Sequence, residues 1–461
     1  MTDPPPGYLG ADARVRRGPA PELVAAGYEL ELADSALLER GLTLADVAHV
    51  LAHPAIPETH RRELLDGLLD LRVDEPDSRY GDLVNVRERV LEQRVGQAAG
   101  WLNAGRPRRE AGRIAFRIAL RERLLDLHGA IARFAAALTA QAATHRDTLM
   151  PDYTYLQIAQ PTTAGHWLLS FAHPALRDGE RISRDFDATN RSPAGAGGVN
   201  GSRYAIDRDR LATLLGFSRP IEHTRDAMWQ TDGFAEATWH AALAATNAGR
   251  FADDLEIYGS DEFGLLRIGD ELCRASALMP QKRNPYALVV LRGGARTLLG
   301  RATGVLASQQ TPSGRTDNLL YAYGEIAGAV ELATRLLNLA AATAESLEID
   351  PERGEQALMH SDAMATDVAE QRTLDTGEDY RSAYRRIGRA VAAGERQSLD
   401  PRDAIATRTV TGGAAPAPMD AMLAHAREQI EATRRRAATA RQALATAERD
   451  LLARARGQHV G

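Results

Sequence analysis

The stretch of the chain with the most usable chemistry is Ala275-Ser-Ala-Leu-Met-Pro-Gln-Lys-Arg-Asn-Pro285. It is polar and bounded by proline, and it leads into a helical pattern at about Ala287. It offers a hydroxyl (Ser276), an ammonium (Lys282) and a carboxamide (Asn284). Such a set suits an anion held near a helix N-terminus, where free backbone N–H groups and the dipole add to the attraction. By composition alone, a helix-capping segment is the simpler reading. Other groups carry less. His49 and His53 stand at i, i+4, a spacing that could hold a metal on one helix face, but no carboxylate or third histidine joins them in a motif. They read as packed or solvated side chains, and no metal is expected. Gly195-Ala-Gly-Gly198 lacks the apolar strand that precedes a dinucleotide fingerprint. Trp229 and Trp239 read as core or subunit-interface residues, and His166, beside Trp167, as packed inside a long helix.

Long helices must position these groups. From Glu110 to Arg146 there is no proline, and Ile114, Ile118, Leu124, Leu127, Ile131, Phe134 and Leu138 recur at three- and four-residue steps, with Arg121 the one break in the register. A helix of roughly 37 residues would be about 55 Å long, a length found where neighbours bury the stripe from end to end. Thr224 to Ile257, Ala287 to Gln309 and Tyr321 to Leu347 behave alike. Shorter helices are expected at Ser35 to Ala52, Glu58 to Leu71 and Gly81 to Gln97, and a final one from about Met419 to Arg456. Ser192 to Ser202 is glycine-rich and must be a loop, and Thr411-Gly-Gly-Ala-Ala-Pro416 is a turn. The first twenty or so residues read as a Pro/Gly/Arg-rich arm. No strand alternation and no internal repeat stand out. The expected fold is all-α.

Composition agrees with this. In 461 residues the hydrophobic share is 44% and the charged share 26%, as in a folded globular chain, and the length suits two or three domains. A formal net charge of −6 argues against nucleic acid as a partner. No apolar run reaches bilayer length, and the start MTDPPPGYLG is unlike a secretion signal, so a cytoplasmic protein without a membrane partner is expected. The single cysteine, Cys273, excludes an internal disulfide framework and reads as a packing residue.

The order of residues in 275–285 resembles the signature loop of the fumarase/aspartase superfamily, and most closely its argininosuccinate lyase branch, where Gln precedes Lys. The likeness extends along most of the chain. Thr154-Tyr-Leu-Gln-Ile-Ala-Gln-Pro161 is similar to that branch's Thr-His-Leu-Gln-x-Ala-Gln-Pro. Leu102-Asn-Ala-Gly-Arg-Pro-Arg-Arg-Glu110 resembles its Leu-His-Thr-Gly-Arg-Ser-Arg-Asn-Asp. The resemblance implies three helical domains, placed near 1–105, 106–356 and 357–461, and a homotetramer whose long helices form a twenty-helix core. It implies active sites shared between three subunits, no cofactor, and a small anionic amino-acid-derived substrate. It also implies β-elimination next to a carboxylate: Ser276 as base, Lys282 and Asn284 on the carboxylate as its charge grows, and Thr154, Gln160 and Arg108 as substrate contacts.

Departures from the pattern are as informative. The acid-site histidine is Tyr155 here, and the glutamate that pairs with it is Val289. The two losses fit each other, because a buried carboxylate without its imidazole would be an unpaired charge. A tyrosine hydroxyl can still donate a proton, though with an ordinary pKa near 10 it is a weaker acid. The family's Ser-Arg-Asn contact reads Pro107-Arg108-Arg109, and its tyrosine, glutamine and lysine substrate positions read Arg315, Leu320 and Tyr323. Arg109 or Arg315 would suit an additional carboxylate. These changes point to C–N cleavage of an N-substituted aspartate other than argininosuccinate, releasing fumarate or a relative. The alternatives are argininosuccinate lyase proper, a cycloisomerase, or a structural tetramer with a lapsed site.

Overall fold

The computed structural model describes residues 18–312, 314, 319, 321–396 and 399–458. The N-terminal arm (residues 1–17) and Arg315 lie outside the described residues. The centre of the molecule is a single helix, Arg108–Thr144, entered from Pro107, whose fixed φ suits a helix start. It buries side chains on nearly every face, because the helices Ser35–Ala52, Ala164–Thr189, Tyr323–Glu345 and Pro416–Ala455 all pack along it. Small residues let them come close. A Cβ on Gly41 would lie 2.6 Å from the Cα of Ala115, so the first of these helices can seat only with glycine there. Asp232–Tyr258 and Tyr286–Ser308 complete the bundle. A second core joins the N-terminal helices to residues 194–217 and to Leu451 and Ala455 at the end of the last helix.

The chain runs up and down this bundle, so its sequence is sorted between two ends. Arg108–Thr144 leads from one end to the other, and Ala164–Thr189 returns. Asp232–Tyr258 runs out again: Gln230 just before it receives Arg117 Nη2 at 2.8 Å, and Tyr258 at its far end lies 5.4 Å from Tyr153, ring to ring. Tyr286–Ser308 comes back, with Gln309 Nε2 donating to Thr231 O at 2.8 Å. Tyr323–Glu345 goes out once more, from Tyr323 stacked on Phe116 at 4.3 Å to Leu347, whose carbonyl accepts from Gln141 Nε2.

The all-α expectation holds, with three local corrections. Leu149–Thr154 and Gln157–Thr163 form an antiparallel hairpin where no strand was expected, and three two-residue ladders accompany it. The Thr224 to Ile257 stretch is two helices, Thr224–Trp229 and Asp232–Tyr258, broken at Gln230-Thr231. His166 lies in the first turn of Ala164–Thr189 rather than inside it, while Trp239, half exposed, leaves the interface reading of that residue open rather than the core one. The break in register at Arg121 also has a cause. Arg113, Arg117 and Arg121 lie one turn apart on one face and are all buried. They donate to Met228 O, to Ala188 O and Thr189 O, and to Leu215 O and Gly216 O. These carbonyls close the C-terminal ends of three helices, where the partial negative charge of the dipole offsets a buried cation. Burial still pushes Arg117 down to about 10 and Arg121 down to about 9. No described helix is long and apolar enough to cross a membrane.

Candidate active site

The signature loop closes as a small hairpin. Arg274–Ala275 pairs antiparallel with Arg283–Asn284, and Asn284 Nδ2 donates to Arg274 O at 3.0 Å. Arg283 anchors the base, its Nε on Asp270 Oδ1 at 2.6 Å and its Nη2 on Ile268 O. Between the arms, the backbone N–H groups of Leu278 and Met279 both point at Ser276 Oγ, at 3.3 and 3.0 Å. Two donors on one oxygen favour its deprotonated form. Lys282, Leu278 and Met279 are exposed. Lys282 is also the only lysine among the chain's 56 lysine and arginine side chains, a signal the sequence carries and the motif reading did not use. Cys273 packs beneath the loop, its thiol pushed up by burial.

Tyr155 stands at the tip of the other hairpin. Thr154 pairs with Gln157, leaving Tyr155 and Leu156 as a two-residue turn with φ of 55° and 58°. This is the turn that suits the twist of paired strands and normally takes glycine or asparagine. Two bulky residues held there store backbone strain of the kind that marks functional sites. Tyr155 is 99% exposed, so its own subunit gives it no packing. Thr154 and Gln160 are exposed on the same hairpin. Below it, Tyr153, Tyr258, Phe263, Trp167, Phe171, Phe251 and Phe134 form a continuous ring cluster. His166 lies in the first turn of its helix rather than inside it. Its Nδ1 meets Thr162 Oγ1 at 3.2 Å and its Nε2 donates to Gly412 O at 3.0 Å, tying the hairpin to the glycine turn of the C-terminal part.

Arg108, Arg109 and Tyr323 meet at the opposite end. They line a narrow cleft with a free volume of about 50 Å³, together with Glu31, Asp34 and Asp82 and an apolar wall that includes Leu38, Leu42 and Val84. Arg109 Nη1 lies 2.8 Å from Glu31 Oε1 and 4.0 Å from Asp82 Oδ2, and Arg108 Nη1 lies 3.1 Å from Asp82 Oδ2. The added cation at 109 is therefore already countered within the subunit. Behind the cleft, the buried Asp46 takes Arg106 Nη2 at 2.6 Å and Arg87 Nη2 at 3.3 Å. Glu110, which is also buried, accepts the backbone N–H groups of Gly195 and Gly197 at 2.7 and 2.9 Å. Those two amides are thus occupied by a side chain of the same subunit.

A single subunit does not bring the site residues together. Ser276, Lys282 and Asn284 share one loop, and Thr154, Tyr155 and Gln160 share the hairpin at that end of the bundle. Arg108, Arg109 and Tyr323 lie at the other end, separated by the 37-residue helix, about 55 Å. Val289 is half exposed near the start of Tyr286–Ser308. The sequence reading missed Glu31, Asp34 and Asp82, which have no motif and become neighbours of Arg108 only in the fold. His49 and His53 are buried, their rings 5.2 Å apart, and burial pushes both below the usual histidine range. Among the described residues no group of three or more His, Cys, Asp or Glu could hold a metal ion.

Residues 52–300 match a lyase family. The chain is 30% identical over 457 residues to argininosuccinate lyase of Methanoculleus marisnigri, covering 91% of this chain and 93% of that protein. It is 32% identical over 415 residues to the same enzyme of Mycolicibacterium gilvum, covering 83% and 88%. Among solved structures, an EDDS lyase variant with bound fumarate shares the fold with a TM-score of 0.83 at 23% identity, over 98% of both chains. The 3-carboxy-cis,cis-muconate lactonizing enzyme of Pseudomonas putida shares it with a TM-score of 0.66 at 21% identity, over 92% of this chain and 99% of that one. With this match along most of its length, the chain is a lyase that belongs to the fumarase/aspartase superfamily, among its argininosuccinate lyase-like proteins.

Proposed function

We propose that the protein cleaves the C–N bond of an N-substituted aspartate other than argininosuccinate and releases fumarate, in sites assembled between the subunits of a homotetramer. The carrying observation is Lys282. In a chain that uses arginine at every other basic position, an ammonium is retained in the one loop that also holds Ser276 and Asn284. A compact ammonium can close on one growing charge where a planar guanidinium would spread over two acceptors. Ser276 Oγ, with two backbone donors on it, takes the proton from Cβ. The electron pair forms the double bond to Cα as the Cα–N bond breaks, and the charge passing through the neighbouring carboxylate is met by Lys282 and by the free N–H of Asn284. The Tyr155 hydroxyl gives its proton to the departing nitrogen. Thr154 and Gln160 from one subunit, with Arg108, Arg109 and Tyr323 from another, hold the substrate. Two subunits running in opposite directions would bring the two ends of the bundle side by side and cover Tyr155 and Leu278. No step in this sequence uses a cofactor.

The test is to incubate the protein with a panel of N-substituted aspartates and follow fumarate. Release from at least one member is expected, falling by about three orders of magnitude in Ser276→Ala, the scale of losing a base. No turnover of any member, or full activity in Ser276→Ala, overturns the reading.

A further inference from the structure

We propose that the helix Tyr380–Ala392 docks a short acidic helix of a partner protein, on a stripe of three arginines edged by two tyrosines. Arg381, Arg385 and Arg389 stand one turn apart and share one face of this helix. All three are exposed. Arg381 lies over the ring of Tyr384 at 5.6 Å, and no carboxylate among the described residues pairs with any of the three. Exposed arginines elsewhere do find carboxylates: Arg133 on Glu345, Arg402 on Glu355 and Arg441 on Asp126. On the same helix Arg386 does too, its Nη2 on Glu378 Oε1 at 3.0 Å. Like charges at i, i+4 destabilise a helix, and here two such pairs follow one another. The stripe is a cost that its own subunit leaves unmatched.

The surroundings of the stripe say what would match it. The helix buries a single side chain, Ala383, and packs on Ala365–Thr376. Tyr380 and Tyr384 form the row beside the arginines, half exposed, with their rings 6.3 Å apart. Such rings offer apolar area with a polar tip, which suits burial against another protein. The stripe is about 12 Å long, and exposed acids bound it, Asp375 and Asp379 before the helix and Glu395 and Asp400 after it. These acids would repel a long polyanion such as nucleic acid, and equally an anionic bilayer. An acidic helix of about three turns fits between them, because its carboxylates at i, i+4 and i+8 repeat at the spacing of the arginines.

The test uses the full-length protein and a fluorescein-labelled helical peptide with Glu at i, i+4 and i+8 and Leu on the adjoining row, followed by anisotropy at low salt. Saturable binding is expected. It should weaken about tenfold in the triple variant Arg381→Gln/Arg385→Gln/Arg389→Gln and about threefold in Tyr384→Ala, with the thermal melt unchanged in both. A peptide of the same composition with its glutamates scrambled should bind more weakly. No saturable binding, equal binding of the scrambled peptide, or equal binding by the triple variant overturns the inference. So does a single-stranded oligonucleotide or a phosphatidylserine vesicle that binds the same arginines more tightly than the peptide, because the partner is then of another class. A change in the mass of the assembly in the triple variant, read by light scattering, would place a second copy of this chain on the stripe and overturn it too. None of these measurements depends on lyase activity, so the outcome is independent of the function proposed above.

Discussion

The two ends of the bundle are built on opposite principles. At the Arg108 end nearly every charged group near the cleft has a partner in its own subunit: Arg106 and Arg87 on Asp46, Arg108 on Asp82, Arg109 on Glu31, and Glu110 on the amides of Gly195 and Gly197. At the Tyr155 end the ring cluster beneath the hairpin is well packed, yet the chemistry above it stands in solvent: Tyr155, Leu156, Leu278, Met279 and Lys282. One end is a finished receptor. The other is a set of reagents on two projecting hairpins with nothing of their own to act upon. Within the proposed tetramer each end supplies what the other lacks, since a receptor needs no partner to fold and a reagent needs one to be placed.

The largest effect that can break this comparison is complementation between inactive variants. Arg108→Ala damages only the receptor end and Ser276→Ala only the reagent end. Each alone is expected to lose nearly all turnover. Subunits of the two, dissociated, mixed and reassembled, should recover a fraction of wild-type activity, because some composite sites then draw both intact halves from different chains. If each site were built within one chain, no mixture could contain an intact one. A mixture as inactive as its components would therefore return the site to a single subunit.

The next effect concerns stability. Asp46→Ala strips the partner from two buried guanidinia and is expected to cost about 3–5 kcal/mol, as for breaking a buried pair from one side. It should also loosen the turn at Arg106-Pro107 that leads into Arg108 at the start of its helix, raising KM. An equally drastic change at the other end, Leu278→Asp, should cost less than about 0.5 kcal/mol in the isolated subunit, because the side chain is exposed. Chemical denaturation of both variants checks the contrast, and equal costs would erase it.

How much of this could be read from the chain follows the same division. Most of the long helices were legible from a proline-free apolar period, but Ala164–Thr189, which carries Pro174 inside it, could not be bounded from its residues; the loop 275–285 was legible because its residues occur in a fixed order. The 149–163 hairpin was not. It carries Pro151 and Pro161, which face each other across the ladder, and proline argues against strands. Here it is tolerated because an isolated two-stranded ribbon has free edges where a missing N–H costs nothing. Arg121 broke the apolar register for a reason found only in three dimensions, namely the helix ends that converge on it. Glu31 lies in the five-residue helix Glu29–Ala33 and Asp34 at its junction with the next helix, and Asp34 meets the Gly324 backbone only in the fold.

Acid separates the ends more gently. His49 and His53 lie behind the receptor cleft, where burial, and for His49 the nearby Arg106, hold them below the ordinary histidine value. The unfolded chain then binds protons first as pH falls through about 6.5. Stability is full above that value and is lost as pH drops toward the folded-state values, at a slope approaching ~1.4 kcal/mol per pH unit for each histidine. Replacing His49 by Gln should flatten the curve between about pH 6.5 and 5, read from thermal melts across that range. An unchanged curve would mean that the imidazole is not held neutral.

The smallest effect is the most pointed, because stability and activity should move in opposite directions. Tyr155 holds φ of 55° with its side chain in solvent, a conformation that costs an L-residue about 1 kcal/mol and glycine almost nothing. Tyr155→Gly is expected to raise the unfolding free energy by about 0.5 kcal/mol once glycine's greater chain entropy is counted, while turnover collapses with the hydroxyl. Tyr155→Phe keeps the strain and removes only the hydroxyl, so it should leave stability unchanged and lower kcat more than KM. A gain in stability with a loss of rate is what a strained acid at a functional tip requires. If Tyr155→Gly instead destabilised the assembly by more than about 1 kcal/mol, the ring would be packing against a neighbouring subunit, and the proton donor would have to be sought on that neighbour.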